Sequence, residues 1–177
     1  MKQEILDKLK DIKLFLFDLE GVLFFNDNLV QEKSYGKFLE EIIKASKEFG
    51  KYNVFFGIVT ARMEDELITK LKEIENLILI STSVEKVSFV EELIAKLNLS
   101  FDKVFYMGDE VLDIPLLRKC SLTAAPKNSN REVKRVVDFT VNANSTVDVL
   151  KEILNLFQKA GLNESAGFEG NIPTTTV

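Results

Sequence analysis

The 177-residue chain carries 23 Lys+Arg against 28 Asp+Glu, a net charge of −5, and is 46% hydrophobic, which describes one ordinary globular domain of about 150 residues with a short appendage and excludes disorder and collagen. It has no histidine, so Ser/His/Asp and Cys/His nucleophiles, His-ligated zinc and imidazole acids or bases are excluded. The acidic balance, with no dense basic stripe, speaks against nucleic acid and anionic membrane as partners and leaves a small anionic substrate open.

The N-terminal MKQEILDKLKDIK is charged throughout, unlike a signal peptide, and no apolar run reaches the ~18 residues of a membrane span. A single cysteine, Cys120, has no intrachain partner, which fits a reducing compartment. A soluble cytoplasmic protein is expected. LFLF (14–17) is apolar on both faces and predicts the first buried strand. Phe38, Ile42, Ile43 and Phe49 mark a helix, followed by the strand VFFGIV (54–59). Leu67, Ile68, Leu71 and Ile74 mark the next helix, before the strand LILI (77–80). Phe89, Val90, Leu93, Ile94 and Leu97 mark a third, before VFYM (104–107) and the shorter SLTAA (121–125). A last helix over 146–160 turns Val147, Leu150, Ile153, Leu154 and Phe157 inward and stops at Gly161. The alternation predicts an α/β fold, a Rossmann-like parallel sheet with helices on both faces. Residues 1–161 form the expected core domain, and 162–177, rich in Gly, Ser, Asn and Thr, a flexible tail.

Ligands of such sheets bind beyond the carboxyl ends of the strands. There the first strand runs into Asp18-Leu19-Glu20-Gly21, the second into Thr60-Ala61-Arg62, and the fourth into Gly108-Asp109-Glu110, with Asp113 four residues beyond Asp109; Lys86 opens the helix after the third. Phosphoryl transfer asks for such a set. Asp18 is placed to attack phosphorus as a carboxylate nucleophile, and Glu20, two residues on, to serve as acid and then base. Two anions facing a phosphate need a hard cation between them; Mg²⁺ suits, with Asp18 and Asp109 as ligands. Thr60 and Lys86 supply a hydroxyl and a positive charge for the phosphoryl oxygens. Taken singly, each carboxylate reads as a cap or turn former, Thr60 as an N-cap with Glu64 near the capping-box position, Lys86 as a solvated helix residue and Cys120 as core packing. Their joint occurrence, in order at consecutive strand ends, favours chemistry.

LFLFDLEGVL, IVTAR, Lys86 and VFYMGDEVLD, which span residues 14–113, resemble the haloacid dehalogenase superfamily. That resemblance implies Asp18 as nucleophile and Glu20 as acid/base, Glu20 also offering its backbone carbonyl to Mg²⁺. It implies Asp109 as the third metal ligand and a phosphate site at Thr60, Ala61 and Lys86. Arg62, Glu110 and Asp113 are supporting residues, Asp113 orienting Lys86 or the metal shell. With 36 residues between Leu23 and Thr60 and 48 between Thr60 and Asp109, neither gap has room for a cap domain. The arrangement is similar to the 3-deoxy-manno-octulosonate 8-phosphate phosphatases, capless tetramers whose neighbouring subunits and C-terminal tails close over the site. The resemblance therefore implies a homotetramer acting on a small phosphorylated metabolite, such as a sugar acid phosphate. For the tail two readings stand: a closing element, with Gly167 and Gly170 as flexible points and Phe168 and Ile172 as apolar anchors, or a disordered terminus without a role. Two features depart from the pattern. Glu20 stands where these phosphatases usually carry Asp, as in the enolase-phosphatase of methionine salvage, and FFNDNLVQEKSYGKFLEE lacks their Arg-containing flap. They leave an alternative open, a noncatalytic oligomerisation or ligand-binding domain of the same fold. A receiver domain is excluded by order, since its phosphorylated Asp lies mid-chain.

Overall fold

The computed structural model describes residues 3–25, 33–82, 85–143 and 145–164. Two apolar patterns are superimposed in the first strand, β1 (Leu14–Asp18). Phe15 and Phe17 enter one core cluster, whereas Leu14 and Leu16 enter another. Because successive side chains of a strand point to opposite faces, a run apolar at every position needs cover on both sides.

On the first face lie α1 (Gln3–Asp11), α2 (Lys33–Lys51), α3 (Glu66–Lys72) and α7 (Thr146–Lys159). Their core is aromatic: Phe15 packs against Phe49 and Phe157 with ring centroids 5.3 and 4.9 Å away, and Phe49 stacks on Phe56 at 4.9 Å. The opposite face is covered by α4 (Lys86–Lys96), α5 (Ile114–Leu117) and α6 (Arg131–Lys134), through Val90, Leu93, Ile94, Leu116, Leu117 and Val133. The remaining strands are β2 (Phe55–Thr60), β3 (Leu77–Ser81), β4 (Val104–Met107), β5 (Leu122–Pro126) and β6 (Phe139–Val141).

All neighbouring pairs are parallel, in the order β3-β2-β1-β4-β5-β6. The expected fold is thus the observed one. Strand order reverses between β1 and β4, and the crevice at such a switch point opens beyond the carboxyl ends of these two strands. Register pairs Asp18 with Val59 and Phe17 with Met107, so the loops after β1, β2 and β4 meet at one place. Between β1 and β2 the described residues hold a turn closed by the Glu20–Phe24 bridge and then α2; between β2 and β4 they hold α3, β3 and α4. No inserted cap domain is present among them.

Among the described residues, four α-helices and strands were not predicted. The helix α1 buries only Ile5 and Leu9, with Leu6 half-buried beside them, among charged residues, and β6 is three residues long, too short for a period to show. The helices α5 and α6 span four residues each. In α7 the inward face is Val149, Leu150, Ile153, Leu156 and Phe157. Val147 and Leu154 are only half-buried, because the helix packs one step round from the expected stripe. Its stop at Gly161, with φ +74°, is as expected. The tail residues Gly167, Phe168, Gly170 and Ile172 lie outside the described residues, as does much of the segment after the first loop (26–32). Among the described residues, no helix is long and apolar enough to cross a membrane.

Candidate active site

Lys86 opens α4, where a cation meets the positive end of the helix dipole, an unfavourable placement by about 0.3–1 kcal/mol. Its side chain is nonetheless only 7% exposed. The reason is tertiary: its ammonium lies 2.6 Å from Asp18 Oδ1 and 2.7 Å from Asp113 Oδ1, with the Tyr106 hydroxyl at 3.3 Å. The reading of Lys86 as a solvated helix residue is excluded. Burial works to lower its pKa, but the two carboxylates outweigh burial and raise it.

Asp113 is the hub of the loop after β4. Its Oδ1 accepts from Lys86 and from Tyr106 Oη at 2.6 Å, and its Oδ2 accepts from the backbone N–H groups of Asp109 and Glu110 at 3.0 and 3.1 Å. A Cβ at Gly108 would meet the Asp113 carboxyl at 2.6 Å, so glycine there is the condition for this close approach. Four donors saturate Asp113 and leave it as an anchor that shapes the Asp109 loop. Glu110 takes part through its backbone; its side chain is exposed.

Asp18, Asp109 and Asp113 bring carboxylate oxygens within 4.8 Å of one another. With Lys86 as their cation the cluster keeps two negative charges in excess, each close pair repelling by about 3–4 kcal/mol at an effective dielectric of ~20. Burial, followed for Asp18 by the balance of Lys86 against Asp113 and for Asp109 by repulsion from Asp113 and Glu110, pushes both pKa values up to about 7. Asp109 Oδ1 is buried with no hydrogen-bond partner. A Cβ at Gly21, whose φ is +77°, would meet Asp109 Oδ2 at 2.1 Å, so this side chain sits tightly against the first loop. An orphaned buried carboxylate oxygen beside a second, raised carboxylate fits a hard divalent cation, which takes oxygen ligands and restores the charge balance. Asp18 and Asp109 are the residues able to hold it.

Thr60, fully buried at the end of β2, donates to Glu20 Oε2 at 2.8 Å and accepts from Arg62 N–H at 3.0 Å. It does not cap α3; the N-cap is Asp65, whose Oδ1 accepts from Ile68 N–H at 3.0 Å. Arg62 Nη1 reaches Glu20 Oε1 at 3.2 Å, and Ala61 is exposed beside it. The predicted residues therefore form two adjoining groups, Asp18–Lys86–Asp113–Asp109 and Glu20–Thr60–Arg62. Sequence reasoning missed Tyr106 and Asp65. Tyr106 sits in an apolar strand run and looked like core; Asp65 was passed over because the cap of α3 was assigned to Thr60, with Glu64 near the capping-box position, and neither its capping role nor its grip on Arg62 was foreseen. Cys120 is half-buried against the second core cluster, where burial pushes its thiol well up, as suits a packing residue.

Lys86→Met is expected to destabilise the chain by roughly 3–5 kcal/mol, because it strands buried carboxylates without their cation. Urea unfolding should show a larger loss at pH 8 than at pH 5, where protonation relieves the stranded acids. Equal losses at both pH values would mean that the ion cluster does not set the stability.

A family model of haloacid dehalogenase-like hydrolases matches residues 23–154. Over 174 residues the chain is 24% identical to the 3-deoxy-D-manno-octulosonate 8-phosphate phosphatase of Salmonella typhi, covering 92% of this chain and 89% of that protein. The fold is similar to that of the Moraxella catarrhalis phosphatase of the same name, crystallised with a magnesium ion, phosphate and 3-deoxy-D-manno-octulosonate (TM-score 0.71, 21% identity, 90% and 93% of the two chains). It is also similar to the cobalt-bound Haemophilus influenzae phosphatase (TM-score 0.68, 16% identity, 86% and 88% covered).

Proposed function

The chain belongs to the haloacid dehalogenase-like hydrolases, and from that premise we propose that it is a Mg²⁺-dependent phosphomonoesterase acting on a small sugar acid phosphate through an aspartyl phosphate. The observation that carries the reading is the buried cluster of three carboxylates around one lysine at the switch point, with Asp109 Oδ1 unpartnered.

Asp18, oriented by Lys86, attacks phosphorus as the carboxylate; the bond from phosphorus to the substrate oxygen breaks, and the departing alkoxide takes a proton from Glu20. Glu20, now ionised, removes a proton from water, whose oxygen attacks phosphorus. The bond to Asp18 breaks, inorganic phosphate leaves and Glu20 ends protonated, so the net consumption is one water. Lys86 balances charge gathering on the phosphoryl oxygens, with Thr60 and the Ala61 backbone beside it. Held by Asp18 and Asp109, with the Glu20 carbonyl as the resemblance implies, Mg²⁺ would neutralise the anions that otherwise repel the substrate phosphate. Asp113 and Tyr106 touch no reacting atom in this scheme and hold Lys86 and the Asp109 loop in place.

Phosphate release from a panel of sugar and sugar acid phosphates, including 3-deoxy-D-manno-octulosonate 8-phosphate, tests the reading. Turnover with Mg²⁺ that concentrates on sugar acid phosphates is expected. No release from any member would leave the noncatalytic domain as the function.

A further inference from the structure

Glu20 is one methylene longer than aspartate, and the structure shows what receives the extra length. Both of its carboxylate oxygens have a donor: Thr60 Oγ1 on Oε2 at 2.8 Å and Arg62 Nη1 on Oε1 at 3.2 Å. Shortening the side chain by one carbon–carbon bond, about 1.5 Å, would pull it away from both.

Arg62 is itself fixed at every point. Its N–H donates to Thr60 Oγ1 at 3.0 Å and its carbonyl accepts from Ser81 Oγ at 2.6 Å. Its guanidinium places Nε and Nη2 each 2.6 Å from Asp65 Oδ2, and the Tyr35 hydroxyl lies 3.5 Å from Nη2. Asp65 uses its other oxygen to cap α3, so the start of a helix, an arginine and Glu20 form one rigid chain of charge-assisted bonds. A guanidinium suits this role because its planar fork serves two carboxylates at once.

The Thr60 hydroxyl has a single proton, and Glu20 holds it. When a substrate phosphoryl oxygen takes that proton's hydrogen bond, Glu20 keeps Arg62 as its remaining tether. We propose that Arg62, fixed by Asp65, is the positioning residue that aims Glu20 at the leaving-group oxygen. The proposal rests on the phosphatase reading above and adds to it why glutamate serves at position 20.

The test compares an alkyl ester, the best sugar acid phosphate of the panel, with 4-nitrophenyl phosphate, whose leaving group departs without a proton. Both esters share the later step in which Glu20 acts as base, so the rate compared is that of alcohol release in a single turnover, where a residue that aims a general acid governs the alkyl rate far more than the aryl rate. Arg62→Gln is expected to lower the ratio of alkyl to aryl alcohol-release rates at least about tenfold and at most by the ~10²–10⁴ that the acid itself contributes, with the loss in rate and not in substrate affinity. Asp65→Asn retains a capping oxygen for α3 but replaces the oxygen that Arg62 grips, and should move the ratio in the same direction. In a Glu20→Gln background, Arg62→Gln should change the ratio no further.

An unchanged ratio in both single variants would overturn the proposal, as would a loss of substrate affinity at constant rate, the mark of an arginine that binds substrate directly. A further fall in the double variant would do the same. Wild-type protein that hydrolyses neither ester would refute the phosphatase reading, and the proposal with it, whereas wild-type activity with an unmoved ratio refutes the proposal alone.

Discussion

Asp18→Asn is expected to lower phosphate release by roughly 10⁴–10⁶-fold, the scale of removing a covalent nucleophile, while the protein folds at least as well as the wild type. The amide is nearly isosteric, and its oxygen can still face the Lys86 ammonium that lies 2.6 Å from Asp18 Oδ1, but it has no anion with which to attack phosphorus. The stability half follows from the raised pKa of about 7. A group whose folded pKa lies above its unfolded value gives stability that is present at low pH and lost as pH rises through the folded value. For Asp18 that window runs from about pH 4 to about pH 7. Asparagine never ionises, so at pH 8 the metal-free variant should melt no lower than the wild type. Thermal melts at pH 5 and pH 8, beside an assay of phosphate release, check both halves. Retention of more than a few per cent of activity would remove Asp18 from the nucleophile role.

The second large effect concerns Asp109. Chelation is expected to silence the enzyme and Mg²⁺ to restore it, and Asp109→Ala should cost roughly 10²–10³-fold in kcat, the range for removing one preorganised electrostatic group. A readout apart from activity is the melting temperature. In metal-free protein, burial and the neighbouring Asp113 and Glu110 raise the Asp109 pKa to about 7, so the folded state loses stability as pH climbs from about 4 toward 7. A cation that binds the ionised carboxylates therefore stabilises more at pH 8 than at pH 5. This pH-dependent gain should shrink in Asp109→Ala. If Mg²⁺ raised the melting temperature of that variant as much as that of the wild type, the metal would lie elsewhere; activity indifferent to chelation would defeat the Mg²⁺-dependent scheme.

The two experiments also separate the enzyme from its noncatalytic alternative. A relic of the fold would have no reason to keep a buried Lys86 between Asp18 and Asp113 at 2.6 and 2.7 Å, since an apolar replacement of such a cluster is commonly as stable or more so. It would also have no reason to leave Asp109 Oδ1 buried and unpaired. Groups that weaken the fold and converge on one crevice are the physical signature of a site that works.

The buried strands LFLF, VFFGIV, LILI and VFYM were legible because strands covered on both faces must be apolar at every position. Residues 18, 20, 60, 86, 109 and 113 were legible as candidates because a parallel sheet gathers the residues that follow its strands. By itself the sequence also determined the chemistry's vocabulary: with no histidine, the chemistry falls to carboxylates, Lys, Arg, hydroxyls or the single thiol. It could not reveal α1 or β6, whose periods are too short or too sparse. Nor could it show that Tyr106, within an apolar run, turns its hydroxyl onto Asp113 at 2.6 Å, or that Asp65 spends one oxygen on a helix and the other on Arg62. Only the tertiary structure decided which carboxylates share Lys86, which oxygen is left without a partner, and where the longer Glu20 is held. Residue identity and spacing set which groups reach the crevice, but hydrogen-bond partners and pKa depend on distances of a few tenths of an ångström between loops far apart in the chain, and those are set by packing.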